Sequence, residues 1–296
     1  MIYKNQRGSA LIVIVTVVAV ILLLILVGGI SVYTKEIANL EPTSKAAYLN
    51  NAEKAIALWY RKNALRIDAP GGGVCVPITE EDLFKETMLI PEFGARMDIS
   101  PCLDTHAPTV VHRNIAIWIP AKGIQDASII NPLTGSFKPS NSEVQYRLID
   151  GHLIEAKMVA ETRAMLQEIG RALELRFKAK IDGDPDRDLG INHFMAVDCN
   201  NPGADEIPCA GTLSDPYAIL DQATLDTLKL AQFASVSHNM NRDSWGQYIV
   251  FNNRLEDSNS CLPEGVLDNR PPYRMMLQSI TPWGTEITIC PVQPVN

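Results

Sequence analysis

The sequence predicts an α+β protein with a long N-terminal transmembrane-plus-amphipathic helix, followed by modules that each combine a helix with an antiparallel sheet. Three observations predict this fold class. Residues 9–34 form an uninterrupted apolar run, residues 43–63 repeat apolar side chains at helical spacing, and the rest of the chain alternates short apolar segments with one further amphipathic stretch. Helices and strands grouped in this way along a chain are typical of the α+β class.

The apolar run is long enough to span a bilayer. Between Ser9 and Thr34 the sole ionisable side chain is that of Tyr33. As a helix, the run reaches about 39 Å, whereas the hydrocarbon core of a bilayer is about 30 Å thick. A cleaved secretory signal has a shorter apolar region of about 7–15 residues and ends at a small-residue cleavage site, and no convincing site follows here. Because Lys4 and Arg7 precede the run, we expect a retained helix with a cytoplasmic N-terminus.

The cysteines agree with an exported C-terminal part. The chain has six cysteines, and all of them follow the apolar run. An even number in an oxidising compartment predicts disulfides, whereas the lack of a CxxC pair disfavours zinc. Six cysteines allow fifteen pairings. The simplest one joins nearest neighbours: Cys75–Cys102, Cys199–Cys209 and Cys261–Cys290.

Composition indicates a folded protein and excludes one class of partner. Hydrophobic residues make up 46% and charged residues 20%, which suits a globular core. The net charge is −8, and Lys and Arg form no run in the exported part. Because binding to phosphates needs a basic surface, we expect no nucleic-acid partner.

The segment after the apolar run predicts an amphipathic helix. Pro42 interrupts the junction, and Thr43 or Ser44 could cap a restarted helix. Apolar side chains then recur on one face, which must be buried against another part of the protein. These side chains are those of Leu49, Ala52, Ile56, Trp59 and Tyr60.

This N-terminus resembles that of type IV pilins and of the pseudopilins of type II secretion. The shared features are a short basic leader, Gly8, the small residue Ser9, the apolar run and the amphipathic helix. The resemblance implies that a prepilin peptidase cleaves between Gly8 and Ser9 and methylates the new N-terminus. It implies a single-pass protein of the bacterial inner membrane, with its C-terminal part periplasmic or in an extracellular filament. A single-pass anchor that matches this pattern by coincidence stays open.

Two positions depart from the family pattern. Ser9 replaces the usual aromatic residue or Met, and Val13 stands at the fifth mature position, where most members have Glu. In the family, that Glu is thought to pair with the N-terminal amine of a neighbouring subunit. Its loss is a feature of some minor members, including the large tip pseudopilin. The resemblance therefore implies a minor subunit, present at low copy number and placed at the tip or in the priming complex.

In the exported part of the chain, the predicted order of a helix followed by strands occurs twice. Residues 114–120 and 143–156 read as strands, the second as a hairpin around Asp150-Gly151. Residues 155–180 follow as an amphipathic helix, and strands are predicted at 247–252, 273–280 and 285–290. We expect a leader (1–8), a transmembrane helix (9–34) and two pilin-like α+β modules (35–156 and 157–296). A single domain with a large helical insertion explains the same order.

A second resemblance to the pseudopilins lies near the C-terminus. Residues 241–253 resemble the Asp-Pro-Trp-Gly-Asn stretch of the major pseudopilin, through Asp243, Trp245 and Gly246. Asp can close a turn through its side chain, Gly accepts positive φ, and Trp can cover the edge of a core. A turn before a half-buried strand accounts for these residues equally well.

Acidic loops leave calcium binding open. Asp182, Asp184 and Asp186 alternate along the chain, but the EF-hand pattern fails because Arg187 and His193 occupy the positions of its Gly and Glu. Two interpretations of these acidic residues stay open: an irregular Ca²⁺ site and a solvated turn. Pseudopilins use calcium in a C-terminal loop, and by that resemblance Glu256, Asp257 and Asp268 are candidates. No other cofactor is expected.

No catalytic motif stands out. The histidines are scattered, and the chain contains no HExxH, GxSxG or phosphate-binding glycine motif. We therefore predict a structural subunit of a type IV pilus or a type II secretion-type filament. Its expected partners are other pilin or pseudopilin subunits, contacted through the N-terminal helix, the prepilin peptidase and the membrane. The alternatives are a membrane-anchored periplasmic enzyme or receptor, and an adhesin carried on a pilus.

Overall fold

The structure is a computed structural model. It describes ten ranges of the chain, and every structural statement below concerns these residues: 42–68, 75–106, 109–123, 127–196, 198–203, 206–210, 217–233, 240–253, 261 and 271–294. The predicted cleavage site at Gly8 and Ser9, Val13 and the apolar run 9–34 lie outside the described residues.

The predicted fold class is corrected in its first element. The α+β combination is present, but the first described helix, α1, covers residues 42–67. Among the described residues, every helix is too short or too polar to cross a membrane. In α1, charged residues such as Lys45, Glu53 and Lys54 interrupt the apolar positions. The predicted transmembrane-plus-amphipathic helix and the single-pass inner-membrane localisation derived from it are corrected accordingly: the first helix that the structure describes is the amphipathic α1, and no described helix is a membrane span.

The first unit, from α1 to β7, packs α1 on a three-stranded antiparallel sheet with the order β1-β4-β7. These strands are Arg96–Ile99, Ile115–Ile119 and Gln145–Ile149. Arg147 of β7 binds Asn50 and Glu53 of α1. The other described elements are α2 (Glu80–Thr87), a 3-10 turn (Glu92–Gly94), and the hairpins β2–β3 (Leu103–His106, Thr109–His112) and β5–β6 (Ile129–Ile130, Phe137–Lys138).

The predicted hairpin around Asp150-Gly151 is wrong, although its first strand is present. β7 ends at Ile149, and α3 runs from Gly151 to Gly183. The side chain of Asp150 accepts a hydrogen bond from the backbone N–H of Leu153, which makes Asp150 the N-cap of α3. An Asp-Gly pair can begin a helix as well as a turn, and the long apolar stripe that follows favours the helix here.

The second unit, from α3 to β11, packs α3 against a four-stranded antiparallel sheet with the order β11-β10-β9-β8. The strands are β8 (Ala218–Ile219), β9 (Val250–Asn252), β10 (Met276–Ile280) and β11 (Glu286–Ile289). The helix α4 (Gln222–Thr227) and a 3-10 turn (Leu230–Gln232) follow β8. The three predicted C-terminal strands are present with shorter bounds.

One continuous core joins the two units. Its buried side chains come from α1, α3 and both larger sheets, for example Tyr60, Ile117, Leu166 and Phe251. The opposite face of β4 is buried in a smaller cluster with Trp118 and Phe137, so this strand is covered on both faces. The division of the chain at 156/157 stays a prediction.

The disulfide prediction is confirmed. The structure contains three disulfides, and they join nearest neighbours along the chain: Cys75–Cys102, Cys199–Cys209 and Cys261–Cys290. The first one ties the segment after α1 to the segment before β2. The third one ties the segment before β10 to the end of β11.

Candidate functional site: a buried polar cluster

Five polar side chains from distant parts of the chain meet where the two units join. We call them the buried polar cluster: Tyr60 of α1, Asp68 just beyond α1, Arg113 before β4, Glu155 in the first turns of α3, and Trp245 in the turn before β9. Tyr60, Asp68 and Glu155 are fully buried, and Arg113 and Trp245 are nearly so. Burial of so many polar groups requires that they satisfy one another.

Asp68 is held by Tyr60 and Arg113. The Tyr60 hydroxyl donates a hydrogen bond of 2.5 Å to Asp68 Oδ2, and Arg113 Nε lies 3.2 Å from Asp68 Oδ1. The backbone N–H of Arg113 donates to the Tyr60 hydroxyl over 3.0 Å. The guanidinium also donates to the carbonyls of Ile67 and Val76. Arg113, which lies just before β4, therefore ties the C-terminal end of α1 to the three-stranded sheet.

Burial dominates the ionisation of this triad. It raises the pKa of Asp68 to about 6, against the opposing effects of the Tyr60 hydrogen bond and the Arg113 charge. Burial also raises the pKa of Tyr60 well above its ordinary value, and the charges of Asp68 and Glu155 add to this effect. Tyr60 is therefore a hydrogen-bond donor at neutral pH and not a base.

Glu155 links the cluster to the second unit. Its Oε2 accepts a hydrogen bond of 2.8 Å from Trp245 Nε1, while its Oε1 has no hydrogen-bond partner among the described residues. Burial raises the pKa of Glu155 to about 8, and the charge of Asp68 acts in the same direction. Glu155 is thus a neutral acid at pH 7, buried between the two units.

The predicted turn motif brings Trp245 to this place. Asp243 Oδ1 accepts hydrogen bonds from the backbone N–H groups of Trp245 and Gln247, and Asp243 Oδ2 accepts one from Ser279 of β10. Gly246 has φ +84°, a conformation that favours glycine. The Trp245 ring also packs edge-on against Trp283. The turn has the form that the sequence predicts, and it also docks on α3, where the Ser244 N–H donates to the Thr162 hydroxyl.

Asp243→Ala should lower the free energy of unfolding by about 2–4 kcal/mol, because buried donors would lose their acceptor. Asp243 is nearly buried, and its carboxylate accepts hydrogen bonds from the turn and from Ser279 of β10. Urea unfolding followed by tryptophan fluorescence measures this change. Gly246→Ala is the comparison, since no atom lies within 4 Å of the added Cβ. It should cost only about 1–2 kcal/mol for the left-handed backbone. An Asp243→Ala cost no larger than that of Gly246→Ala would contradict the role of the carboxylate.

The calcium candidates do not assemble into a site in the described part of the chain. Asp184 accepts hydrogen bonds from the backbone N–H groups of Asp186 and Asp188, and Asp182 pairs with Lys178. Glu256, Asp257 and Asp268 lie outside the described residues. The one described group of three ligand atoms within 4.8 Å combines Asp68 with Cys75 and Cys102, and its two cysteines form a disulfide.

The cluster links α1, α3 and the turn before β9, and it lies apart from the three pockets identified in the described part of the chain. Among the described residues, these three pockets are lined by residues near Trp59, Arg176 and Lys45, and none of the five cluster residues lines them. Sequence reasoning missed Tyr60, Asp68, Arg113 and Glu155 as a group. One signal was available: Glu155 lies on the same helical face as Met158, Thr162 and Leu166, which are all buried. A carboxylate on such a stripe requires a buried partner.

No protein-family description, curated protein or solved structure matches this chain.

Proposed function

We propose that the protein is a minor pilin-like or pseudopilin-like subunit of a type IV pilus or a type II secretion-type filament, with a structural and not a catalytic role. The observation that carries this proposal is the order Arg7-Gly8-Ser9, an uncharged apolar run, and an amphipathic helix. The amphipathic part, α1, buries its apolar face in the core beside an antiparallel sheet. By the family resemblance, we assign the apolar run 9–34 to contacts with other subunits.

Three features of the structure support a role in assembly. The buried polar cluster joins α1, α3 and the turn before β9, and Arg61 of α1 pairs with Glu161 of α3. Disulfides close loops in both units. A subunit that carries load along a filament benefits from contacts that join its two units. Local opening of one unit then requires the disruption of both.

The proposal of low copy number rests on Val13. A carboxylate in an apolar surrounding is costly unless it finds a partner, so a Glu at this position would select for docking to a neighbour. A first-assembled subunit has no neighbour ahead of it and can dispense with that group. We expect immunogold labelling at filament tips, and regular labelling along the shaft would oppose this placement.

Co-expression with a prepilin peptidase should yield a mature protein that begins at Ser9, with a methylated amine. Intact mass spectrometry and N-terminal peptide mapping measure this outcome. Gly8→Leu should block cleavage because the peptidase accepts only a small residue there, and Gly8→Ala should be tolerated better. Gly29→Leu is the matched control, since it makes the same replacement beyond the cleavage site. Recovery of intact Met1 beside active peptidase, or a start beyond Tyr33, would remove the proposal.

A further inference from the structure

A cationic pocket lies between the C-terminal half of α3 and the segment after α4. Its volume is about 240 Å³. We call it the α3–α4 pocket and define it by its described lining residues: Arg176, Ala179, Lys180, Leu228, Lys229, Gln232 and Phe233. Arg176 and Lys180 are one helical turn apart and therefore share a face of α3. This volume lies just below the range of ordinary ligand pockets, about 300–1,000 Å³, and suits a small molecule.

Positive charge dominates this pocket. Three of its described lining side chains are cations, Arg176, Lys180 and Lys229, and none of its described lining side chains is acidic. This concentration occurs in a chain with a net charge of −8. The dipole of α3 accounts for Lys180, which lies in its last turn. It does not account for Lys229, which belongs to another segment. Arg176 is 5% exposed, so its charge is built into the protein and is not a freely solvated surface group.

The backbone of Lys229 is unfavourable for a lysine. Its φ of 51° and ψ of 36° place it in the left-handed region, where glycine is the favoured residue. Its N–H donates to the Asp226 carbonyl, and its own carbonyl accepts from the Gln232 N–H. These bonds would form equally well with glycine. Backbone strain of this kind often accompanies binding sites, and here it brings a third cation to the pocket.

Part of the pocket wall is apolar. Leu228 is buried, Phe233 is half-buried, and Ala179 adds a methyl group between the two α3 cations. The positive charge also acts beyond the pocket. Burial first, and then the charges of Lys180 and Arg176, hold the pKa of His193 below its ordinary value. An anion with an apolar body would therefore find both kinds of contact that it needs.

We infer that the α3–α4 pocket binds a small organic anion, with a carboxylate or phosphate group held by Arg176, Lys180 and Lys229 and an apolar body against Leu228 and Phe233. Arginine and lysine hold such oxyanions through charge-assisted hydrogen bonds. This function is separate from filament assembly, since it uses neither the N-terminal run nor the buried polar cluster.

Titration of the whole protein with phenyl phosphate, benzoate, inorganic phosphate and neutral benzyl alcohol tests the inference. The readout is the backbone amide shifts of residues 228–233 in NMR spectra. We expect saturable shifts with phenyl phosphate or benzoate, weaker binding of inorganic phosphate, and none with benzyl alcohol. The stronger of the two aromatic anions identifies the preferred head group. Weaker binding at higher salt is also expected.

Two variants and one control complete the test. Lys229→Gly should weaken binding about tenfold or more, because it removes one charge-assisted contact. It should also raise the unfolding midpoint of the ligand-free protein, because it relieves the backbone. Lys180→Met should weaken binding to a similar extent. Lys178→Met is the matched control, since Lys178 pairs with Asp182 over 3.1 Å and does not line the pocket.

The outcomes separate a site from general surface charge. Equal loss in the Lys178 and Lys180 variants would overturn the inference, as would equal binding of benzyl alcohol. Absence of saturable shifts with all three anions would also overturn it. None of these results bears on cleavage at Gly8, so the pocket can fail while the assembly proposal stands.

Discussion

Gly151→Ala should destabilise the protein by about 3 kcal/mol or more, enough to remove much of the stability of an ordinary domain. Gly151 is the first residue of α3 and follows β7 after a single residue. A Cβ added there would lie 2.0 Å from the Arg113 carbonyl oxygen and 2.9 Å from the Tyr60 hydroxyl. Because the first of these atoms is backbone, β4 and α3 would have to move apart. The shift would also strain the hydrogen bond from Gly151 N–H to Asn114 Oδ1.

Gly183→Ala is the matched control for this prediction. Gly183 is the last residue of the same helix, and no atom lies within 4 Å of an added Cβ. Alanine there should be neutral or stabilise the helix by up to about 1 kcal/mol. Chemical denaturation with the disulfides intact measures both variants. Similar free energies of unfolding for the two variants would show that the approach of Gly151 to Arg113 does not constrain the protein.

Local periodicity carried most of the correct secondary-structure predictions. The spacing of Leu49, Ile56 and Tyr60 identifies α1, and that of Leu166 and Phe177 identifies α3, because one face of each helix is buried in a single core. β4, β7 and the three C-terminal strands were also identifiable from apolar segments. The short hairpins β2–β3 and β5–β6 were not predicted, since two to four residues provide too little pattern.

The error at Asp150-Gly151 has a different cause. The same two residues suit a hairpin turn and a helix start, so the local sequence was ambiguous. Gly151 is needed here because of a contact with Arg113, which lies on another strand connection. That requirement appears only after the sheet has formed, and no local pattern contains it.

The buried polar cluster was missed because the contacts that join its parts are distant in sequence. The hydrogen bond from Arg113 to Tyr60 spans 53 residues, and that from Trp245 to Glu155 spans 90. The turn around Asp243 was predictable because its bonds are local. The docking of this turn on α3 was not predictable, because it depends on contacts with residues distant in sequence. The sequence therefore shows which residues can build a turn, and the tertiary fold determines which buried groups they meet.

Glu155→Gln should change how stability depends on pH. In the folded protein, burial raises the pKa of Glu155 from its ordinary value of 4.5 to about 8. Between these two values the unfolded chain has lost the proton that the folded protein retains. Folding then takes up a proton, so the free energy of unfolding of the wild type falls as pH rises through this window. The amide that replaces the carboxyl group has no proton to lose in this range, so the variant lacks this decline.

Other groups titrate in the same range and must be separated from Glu155. The raised pKa of Asp68 lowers stability as pH rises between 3.8 and about 6. Burial lowers the pKa of His112 and of His193, so their contributions to stability rise as pH increases from these lowered values up to the ordinary value of 6.5. Both proteins contain these groups. The difference in the free energy of unfolding between variant and wild type therefore reports the ionisation of Glu155.

Urea unfolding at pH 5, 7 and 8.5, with the disulfides intact, measures this difference. From pH 5 to pH 8.5 the stability of Glu155→Gln relative to the wild type should increase by about 3–5 kcal/mol, on the scale of 1.4 kcal/mol for each unit of pKa shift. The amide oxygen can still accept the hydrogen bond from Trp245, so the offset at pH 5 should be small. Glu161→Gln is the control on the same helix. Its side chain is 35% exposed and paired with Arg61, so the cost should stay below about 1 kcal/mol. A difference for Glu155→Gln that does not vary with pH would mean that the folded protein holds Glu155 ionised, and the explanation by burial would then be wrong.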